Sequence, residues 1–136
     1  ELCRNVKVSP TVIRPGQNRC SLKSIVDFIL AHRGKWAWTE TESIEGNIAY
    51  HVNDNSIIVL TIDGEIGAVL TASFEQAQRV VHVCNAVAIN KQFLLTVIFI
   101  LAKMVPGWHL TYEHHGKSFR YDSEGVVKLL TKLSYG

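Results

Sequence analysis

Residues 80–89 include a histidine and a cysteine that could form a nucleophile pair. His82 and Cys84 are two positions apart, so an extended backbone would place both side chains on one face. An imidazole beside a thiol can take its proton and leave a reactive thiolate. The neighbours of Cys84 are mostly apolar, however, and burial raises a thiol pKa. We therefore expect Cys84 to be a small, unreactive core residue.

Four side chains that alternate along the chain could share the face of a later strand. They are His109, Thr111, Glu113 and His115. Glu113 and His115 could hold a metal ion together, whereas His109 would join them only if the strand bends. A zinc site needs three or four convergent ligands. We therefore expect a polar, partly exposed strand face and no metal centre.

Two groups of aromatic residues could contact a partner. Trp36 and Trp38 lie beside basic residues, and paired aromatic side chains near arginine are typical of protein interfaces; the alternative is that they cap the core. The C-terminal third mixes basic and aromatic side chains, which are His114, Lys117, Arg120, Lys128, Tyr112, Phe119 and Tyr121. Such a mixture can hold single-stranded nucleic acid. Nearby acidic residues dilute its charge, so we expect an ordinary solvated surface there. The interface candidates are Trp36, Trp38, Tyr112, Phe119 and Arg120.

The composition limits what the chain can be. Its 136 residues provide material for one domain, and 47% of them are hydrophobic, which is enough to bury a core. The net charge of +2 lacks the positive excess of a general nucleic-acid binder. We therefore expect a single domain over residues 1–136.

The cysteines and the apolar runs indicate a compartment. Cys3, Cys20 and Cys84 are odd in number and widely spaced, so we expect no disulfide framework and a reducing interior such as the cytoplasm. No retained secretory signal peptide is recognisable. The apolar run 93–102 is about half of the roughly 20 residues that a membrane span needs. It predicts a buried core helix, and we expect no membrane partner.

The N-terminal part of the chain predicts one strand and one helix. Residues 6–13 alternate apolar and polar side chains and include Pro10, which indicates an edge strand. Ser21 is a typical N-cap for a helix that begins at Leu22, and Gly34 predicts its end.

A series of strands is predicted next. The runs 36–40 and 48–52 are rich in aromatic and β-branched residues, and both predict strands. The runs 56–62 and 66–73 are separated by Asp63-Gly64-Glu65, and an Asp-Gly pair between β-rich runs predicts a tight hairpin turn. Residues 80–89 are apolar on both faces at several positions, which indicates a central strand.

The remaining elements complete a mixed fold. Asn90 can cap a nearly all-apolar helix over residues 91–105, which requires burial on more than one side. Residues 108–112 predict a strand that extends to Phe119 at most, and Ser123 is the expected cap of a last amphipathic helix. The predicted order is β-α-β-β-β-β-α-β-α. It gives an α/β (α+β) class with a mixed, mostly antiparallel sheet flanked by about three helices.

This order resembles the GNAT family of N-acetyltransferases. Residues 12–15 and 21–25 look like the first strand and helix of that family, which often open with an Ile-Arg pair. Residues 58–69 are similar to its second and third strands and to the Asp-Gly turn between them. Residues 80–89 and 91–105 take the places of its fourth strand and the following helix. The resemblance implies a GNAT-like fold for most of the chain.

The chain departs from that family where the family binds its cofactor. Active members carry an Arg/Gln-x-x-Gly-x-Gly/Ala loop, whose glycines let backbone amides approach the pyrophosphate of acyl-CoA. The matching residues 88–95 contain no glycine. Phe93 and Leu94 would stand where the phosphates need bare backbone, and Lys91 would supply only one charge. The departure therefore implies a degenerate scaffold without a cofactor.

The leading hypothesis is a non-catalytic structural or protein-interaction component with a protein partner or a second copy as its ligand. Small GNAT-like proteins without the cofactor loop occur among internal virion and assembly proteins of tailed bacteriophages, so a virion is the other expected location.

Two alternatives remain. One is an N-acyltransferase with an atypical loop, in which His82 or Glu75 is the general base and Tyr112 protonates the leaving thiolate. Its cofactor would contact the polar residues that open the long helix, namely Asn90, Lys91 and Gln92. The other alternative is a small nucleic-acid-binding factor that uses residues 117–121.

Overall fold

The computed structural model describes residues 8–12, 22–32, 41–114 and 116–135. In chain order, its elements are β1 (Val8–Val12), α1 (Leu22–His32), α2 (Thr41–Asp54), β2 (Ile57–Ile62), β3 (Glu65–Glu75), β4 (Val80–Ala88), α3 (Lys91–Met104), β5 (His109–His114), β6 (Lys117–Asp122) and α4 (Ser123–Tyr135). The six strands form one sheet in the order of the sequence. Every neighbouring pair is antiparallel except β4 and β5, which are parallel. The predicted fold class is confirmed, with four helices in the described part of the chain.

The hairpin of β2 and β3 turns on two residues with left-handed backbone. Asp63 has a φ of 50° and Gly64 a φ of 83°, and two successive positive φ values define the type I′ turn that matches the twist of paired strands. Ile62 and Glu65 pair directly across the turn. The hairpin predicted from Asp-Gly is therefore confirmed.

Helices cover both faces of the middle of the sheet. Val59, Val69 and Val87 are aligned on adjacent strands and belong to the core that α1 and α2 complete. Ile58 and Leu70, which are also aligned, point to the opposite face and belong to the core under α3. Since successive strand residues point to opposite faces, the apolar runs of these strands are explained by burial on both sides.

α3 is the predicted core helix. The Asn90 side chain accepts a hydrogen bond from the Phe93 N–H at 2.9 Å, which confirms Asn90 as its cap. Phe93, Val97 and Leu101 recur at four-residue intervals and are buried. Half-buried residues of α4 also contribute to this core. Within the described residues, no helix combines the length and apolarity that crossing a membrane requires.

The strand predicted for residues 48–52 is wrong, because these residues belong to α2. The run is β-rich when viewed alone, but Ile44 and Ile48 are four residues apart and both are fully buried. They bury one face of a helix against the sheet, and His51 continues that face. Tertiary burial thus overrides the local preference.

The strand predicted from residue 108 is two strands. β5 ends at His114, Gly116 has a φ of 75°, and β6 returns antiparallel to β5. The cap of α4 also differs from the prediction. The Asp122 carboxylate accepts a hydrogen bond from the Gly125 N–H at 3.3 Å, while Ser123 is buried at the start of the helix.

Pro10 lies in β1, which pairs with β2 at the edge of the described sheet, as predicted. Several other predictions fall outside the described residues. They concern the strand at 36–40, the interface candidates Trp36 and Trp38, the cap Ser21, the stop Gly34, and the side chain of His115.

Candidate functional site

β4 and β5 lie side by side over three residues and then diverge. Val80, Val81 and His82 pair with His109, Leu110 and Thr111. Immediately beyond this stretch, the register of β4 against β3 shifts by one residue, since Val83 faces Ala72 and Asn85 faces Thr71. Cys84 is the extra residue of a β-bulge, and a bulge bends the strand that carries it. Pairing between β4 and β5 ends just before this bulge, and α3 connects the two strands.

Three polar side chains, one each from β3, β4 and β5, are linked by polar contacts at this point. The Thr111 hydroxyl is hydrogen-bonded to His82 Nδ1, and His82 Nε2 lies 3.3 Å from Glu75 Oε1. His82 and Glu75 are 44% and 47% exposed, so solvent reaches both side chains. One tautomer satisfies both contacts, in which Nδ1 accepts from Thr111 and the Nε2 proton is donated to Glu75.

This arrangement has the connectivity of a proton relay. A carboxylate that orients a histidine, which in turn accepts a proton from a hydroxyl, is the hydroxyl–imidazole–carboxylate order used in acyl transfer. The structure therefore brings together His82 and Glu75, the two alternatives for the general base, and adds Thr111. Sequence analysis missed Thr111 as a partner of His82 because only the parallel register of β4 and β5 brings the two residues together.

Tyr112 does not join these three linked side chains. It follows Thr111 in β5 and therefore points to the opposite face of the sheet. There its ring stacks on Phe119 at 4.9 Å between centroids and lies 6.2 Å from Tyr121. Partial burial, a hydrogen bond with Tyr121 and the charge of Tyr121 raise the pKa of Tyr112. The proposed base and the proposed acid of the acyltransferase hypothesis are thus separated by the sheet.

The aromatic cluster of Tyr112, Phe119 and Tyr121 faces the same side as α3. Leu110 precedes Tyr112 by two residues in β5, shares its face, and is buried in the core under α3. Tyr112 and Tyr121 are nevertheless 38% and 47% exposed. Arg120 alternates with Phe119 and Tyr121 along β6, so its side chain lies on the other face of the sheet. Its paired residue on β5 is Thr111, which shares that face. Two interface candidates, Tyr112 and Phe119, are therefore brought together, and Arg120 is separated from them.

Cys84 differs from the prediction. Its side chain is exposed at the bulge instead of being buried in the core. Its thiol donates to the His82 carbonyl oxygen at 3.8 Å, while the His82 ring contacts Thr111 and Glu75. Partial desolvation raises the pKa of Cys84. The structure thus gives His82 other partners, and the Cys84 thiol is not activated by the imidazole.

The start of α3 is capped by a side chain. The side-chain oxygen of Asn90 accepts a hydrogen bond from the Phe93 N–H. The backbone carbonyl oxygen of Asn90 accepts one from the Leu94 N–H at 3.2 Å. Lys91 and Gln92 are exposed on the first turn. Phe93 differs from the expectation, because its ring is buried in the core beside Gly67 and not at the helix terminus. Asn90 would therefore compete with an anion for one backbone N–H group at this terminus.

No metal centre is found in the part of the chain that the structure describes. Within residues 8–12, 22–32, 41–114 and 116–135, no group of three His, Cys, Asp or Glu side chains converges. His109 and Glu113 share a face of β5 with Thr111, as the alternation predicted.

Comparisons with known proteins find distant structural similarity and no sequence match. No family model matches the sequence, and no curated protein matches it. Among solved structures, the chain is similar to a possible acetyltransferase from Clostridium difficile 630, with a TM-score of 0.49 and 10% sequence identity. The similarity covers 74% of this chain and 70% of that chain. A similarity at this level assigns no activity to the chain.

Proposed function

We propose that the chain is a non-catalytic protein-interaction component built on a GNAT-like scaffold that does not use acyl-CoA. The observation that carries this proposal is the capped, glycine-free start of α3. Anions bind at helix N-termini because the first backbone N–H groups point at them. Here the Asn90 side chain already accepts from the Phe93 N–H, and residues 88–95 contain no glycine.

A second observation supports a role in binding proteins. The aromatic cluster of Tyr112, Phe119 and Tyr121 presents stacked rings at the surface of a short hairpin. Tyrosine and phenylalanine are enriched at protein interfaces because they bury a large area with few rotatable bonds. A partner protein is the ligand that such a surface fits. A virion or assembly role in a tailed bacteriophage is the setting we propose for it.

The experiment is calorimetric titration of the purified protein with acetyl-CoA, alongside the variant Asn90→Gly. We expect no saturable heat from the unmodified protein at micromolar concentrations, because each missing charge-assisted hydrogen bond forfeits roughly 1.5–3 kcal/mol. The variant removes the competing carboxamide, so we expect any weak binding to be gained only there. One-to-one binding by the unmodified protein with a low-micromolar Kd would overturn the proposal.

An N-acyltransferase with an atypical donor site is the second candidate function. The chain of Glu75, His82 and Thr111 favours it, since a histidine held by a carboxylate can act as a general base. The test is acetylation of amines by acetyl-CoA, comparing the unmodified protein with His82→Ala and Thr111→Val. Turnover that falls by roughly a hundredfold or more in His82→Ala would support this candidate. Equal rates in all three proteins would reject it.

A further inference from the structure

A groove of about 990 Å³ runs between the end of α3 and α4. It lies on the side of the sheet where the aromatic cluster is exposed, because α3 covers that face. Pro106 and Val127 contribute apolar surface to its lining, and the buried Ala102 lies beneath them. A groove between two helices with apolar lining is suited to an amphipathic segment of another protein.

The charged residues of the groove are unevenly placed. Lys103 of α3 and Lys128 and Lys132 of α4 line it, and the two α4 lysines are one helical turn apart. The Lys103 ammonium lies 5.5 Å from the centre of the Phe99 ring. These three cations outnumber the two carboxylates that also line the groove.

Both carboxylates lie at the start of α4 and have partners there. Asp122 Oδ2 accepts from the Gly125 N–H, and Glu124 Oε2 accepts from the Ser123 hydroxyl, each at 3.3 Å. A carboxylate at a helix N-terminus is stabilised by the helix dipole. The two carboxylates therefore already have hydrogen-bond partners within this protein. The three lysines make the remainder of the groove positive.

We propose that this groove binds an acidic amphipathic helix of a partner protein. The inference rests on the proposed function and adds the place and the chemistry of the partner. Apolar side chains of the partner would pack on Pro106 and Val127, and its carboxylates would meet Lys128 and Lys132. A nucleic-acid backbone fits less well, because the groove is lined largely by apolar atoms and its near end is acidic.

The test uses a labelled synthetic helix of about 16 residues, with leucines at positions i, i+3, i+4 and i+7 and glutamates elsewhere. Binding is followed by fluorescence anisotropy at two salt concentrations. We expect a micromolar Kd that weakens roughly tenfold or more in the double variant Lys128→Glu/Lys132→Glu, and also at higher salt.

The matched control is Lys23→Glu/Arg79→Glu, which changes the net charge equally at exposed positions outside the groove. It should bind the peptide nearly as well as the unmodified protein. No binding at hundreds of micromolar, or equal loss in both double variants, would overturn the proposal. Tighter binding of single-stranded DNA than of the peptide would overturn it in favour of nucleic acid. The acetyl-CoA titration is independent of these outcomes, so failure of the groove is distinguishable from failure of the proposed function.

Discussion

His51 is a titratable side chain held inside the protein. Only 4% of it is exposed, and its Nδ1 lies 2.7 Å from the hydroxyl of Ser56, which is also buried. Burial lowers its pKa below the ordinary value of 6.5, although the charge of Asp54 and the hydrogen bond with Ser56 act in the opposite direction. The folded protein therefore favours the neutral imidazole more strongly than the unfolded chain does.

This difference predicts a loss of stability in acid. Below about pH 6.5 the unfolded chain takes up a proton at His51 before the folded protein does, so stability rises with pH through this window and falls as the pH is lowered. We expect the Tm to drop between about pH 7.5 and pH 5, and to drop less in His51→Gln, which does not titrate. Circular dichroism melts measure both. An equal drop in the two proteins would show that other groups cause the acid sensitivity.

Gly64 tests the turn at the level of a single residue. Its φ of 83° is unfavourable for any side chain, although a Cβ there would meet no atom within 4 Å. We expect Gly64→Val to lower the free energy of unfolding by roughly 1–3 kcal/mol through backbone strain alone. The control is Gly46→Ala, which also has open space but lies within α2. Helix propensity predicts that Gly46→Ala raises the free energy of unfolding by about 0.5–1 kcal/mol. Denaturant unfolding measures both variants. A loss at Gly46 as large as that at Gly64 would argue against this account.

At the scale of elements, α3 connects the two diverging strands and closes the core on one side of the sheet. Val97 is fully buried in the middle of α3, whereas its neighbour Ile98 is only half-buried. A charge at a buried site without a partner costs several kcal/mol. We expect Val97→Asp to abolish the cooperative melt. We expect Ile98→Asp to melt cooperatively at a lower Tm. A folded Val97→Asp protein with an unchanged Tm would contradict the placement of α3.

The elements also differ in how well local patterns predict them. The β2–β3 turn and the start of α3 follow from neighbouring residues, Asp63-Gly64 in one case and Asn90 in the other. α2 does not, because Ile48 lies in a β-rich run and becomes helical only where the sheet can bury it together with Ile44. A short run of branched residues fits either structure until a partner surface selects one.

Across the whole molecule, the strands of the sheet differ in how far they are shielded from solvent. Residues 68–72 of β3 are fully buried between helices on both faces, whereas β6 lies at an edge and is largely exposed. Local opening is easiest where few apolar contacts are lost. In hydrogen exchange followed by mass spectrometry, we expect amides of β6 to exchange at least about tenfold faster than those of residues 68–72. Equal protection would indicate a partner or a second copy already bound along β6.

The sheet also separates the chemistry of its two faces. Glu75, His82 and Thr111 lie on one face, and the aromatic cluster and the groove between α3 and α4 lie on the other. The aromatic cluster and the three hydrogen-bonded polar side chains are therefore assigned to different candidate functions.

Turn chemistry, capping and hydrophobic spacing act between residues close in the chain, so local features can be predicted from neighbouring residues. The positions of Asp63-Gly64, Asn90 and Pro10 illustrate this. Only the tertiary structure decided which distant residues meet. Thr111 contacts His82 across 29 positions because the strands are parallel there, and Cys84 is exposed because one extra residue bulges from β4. Register and bulges depend on the packing of the whole sheet, which no short stretch of sequence encodes.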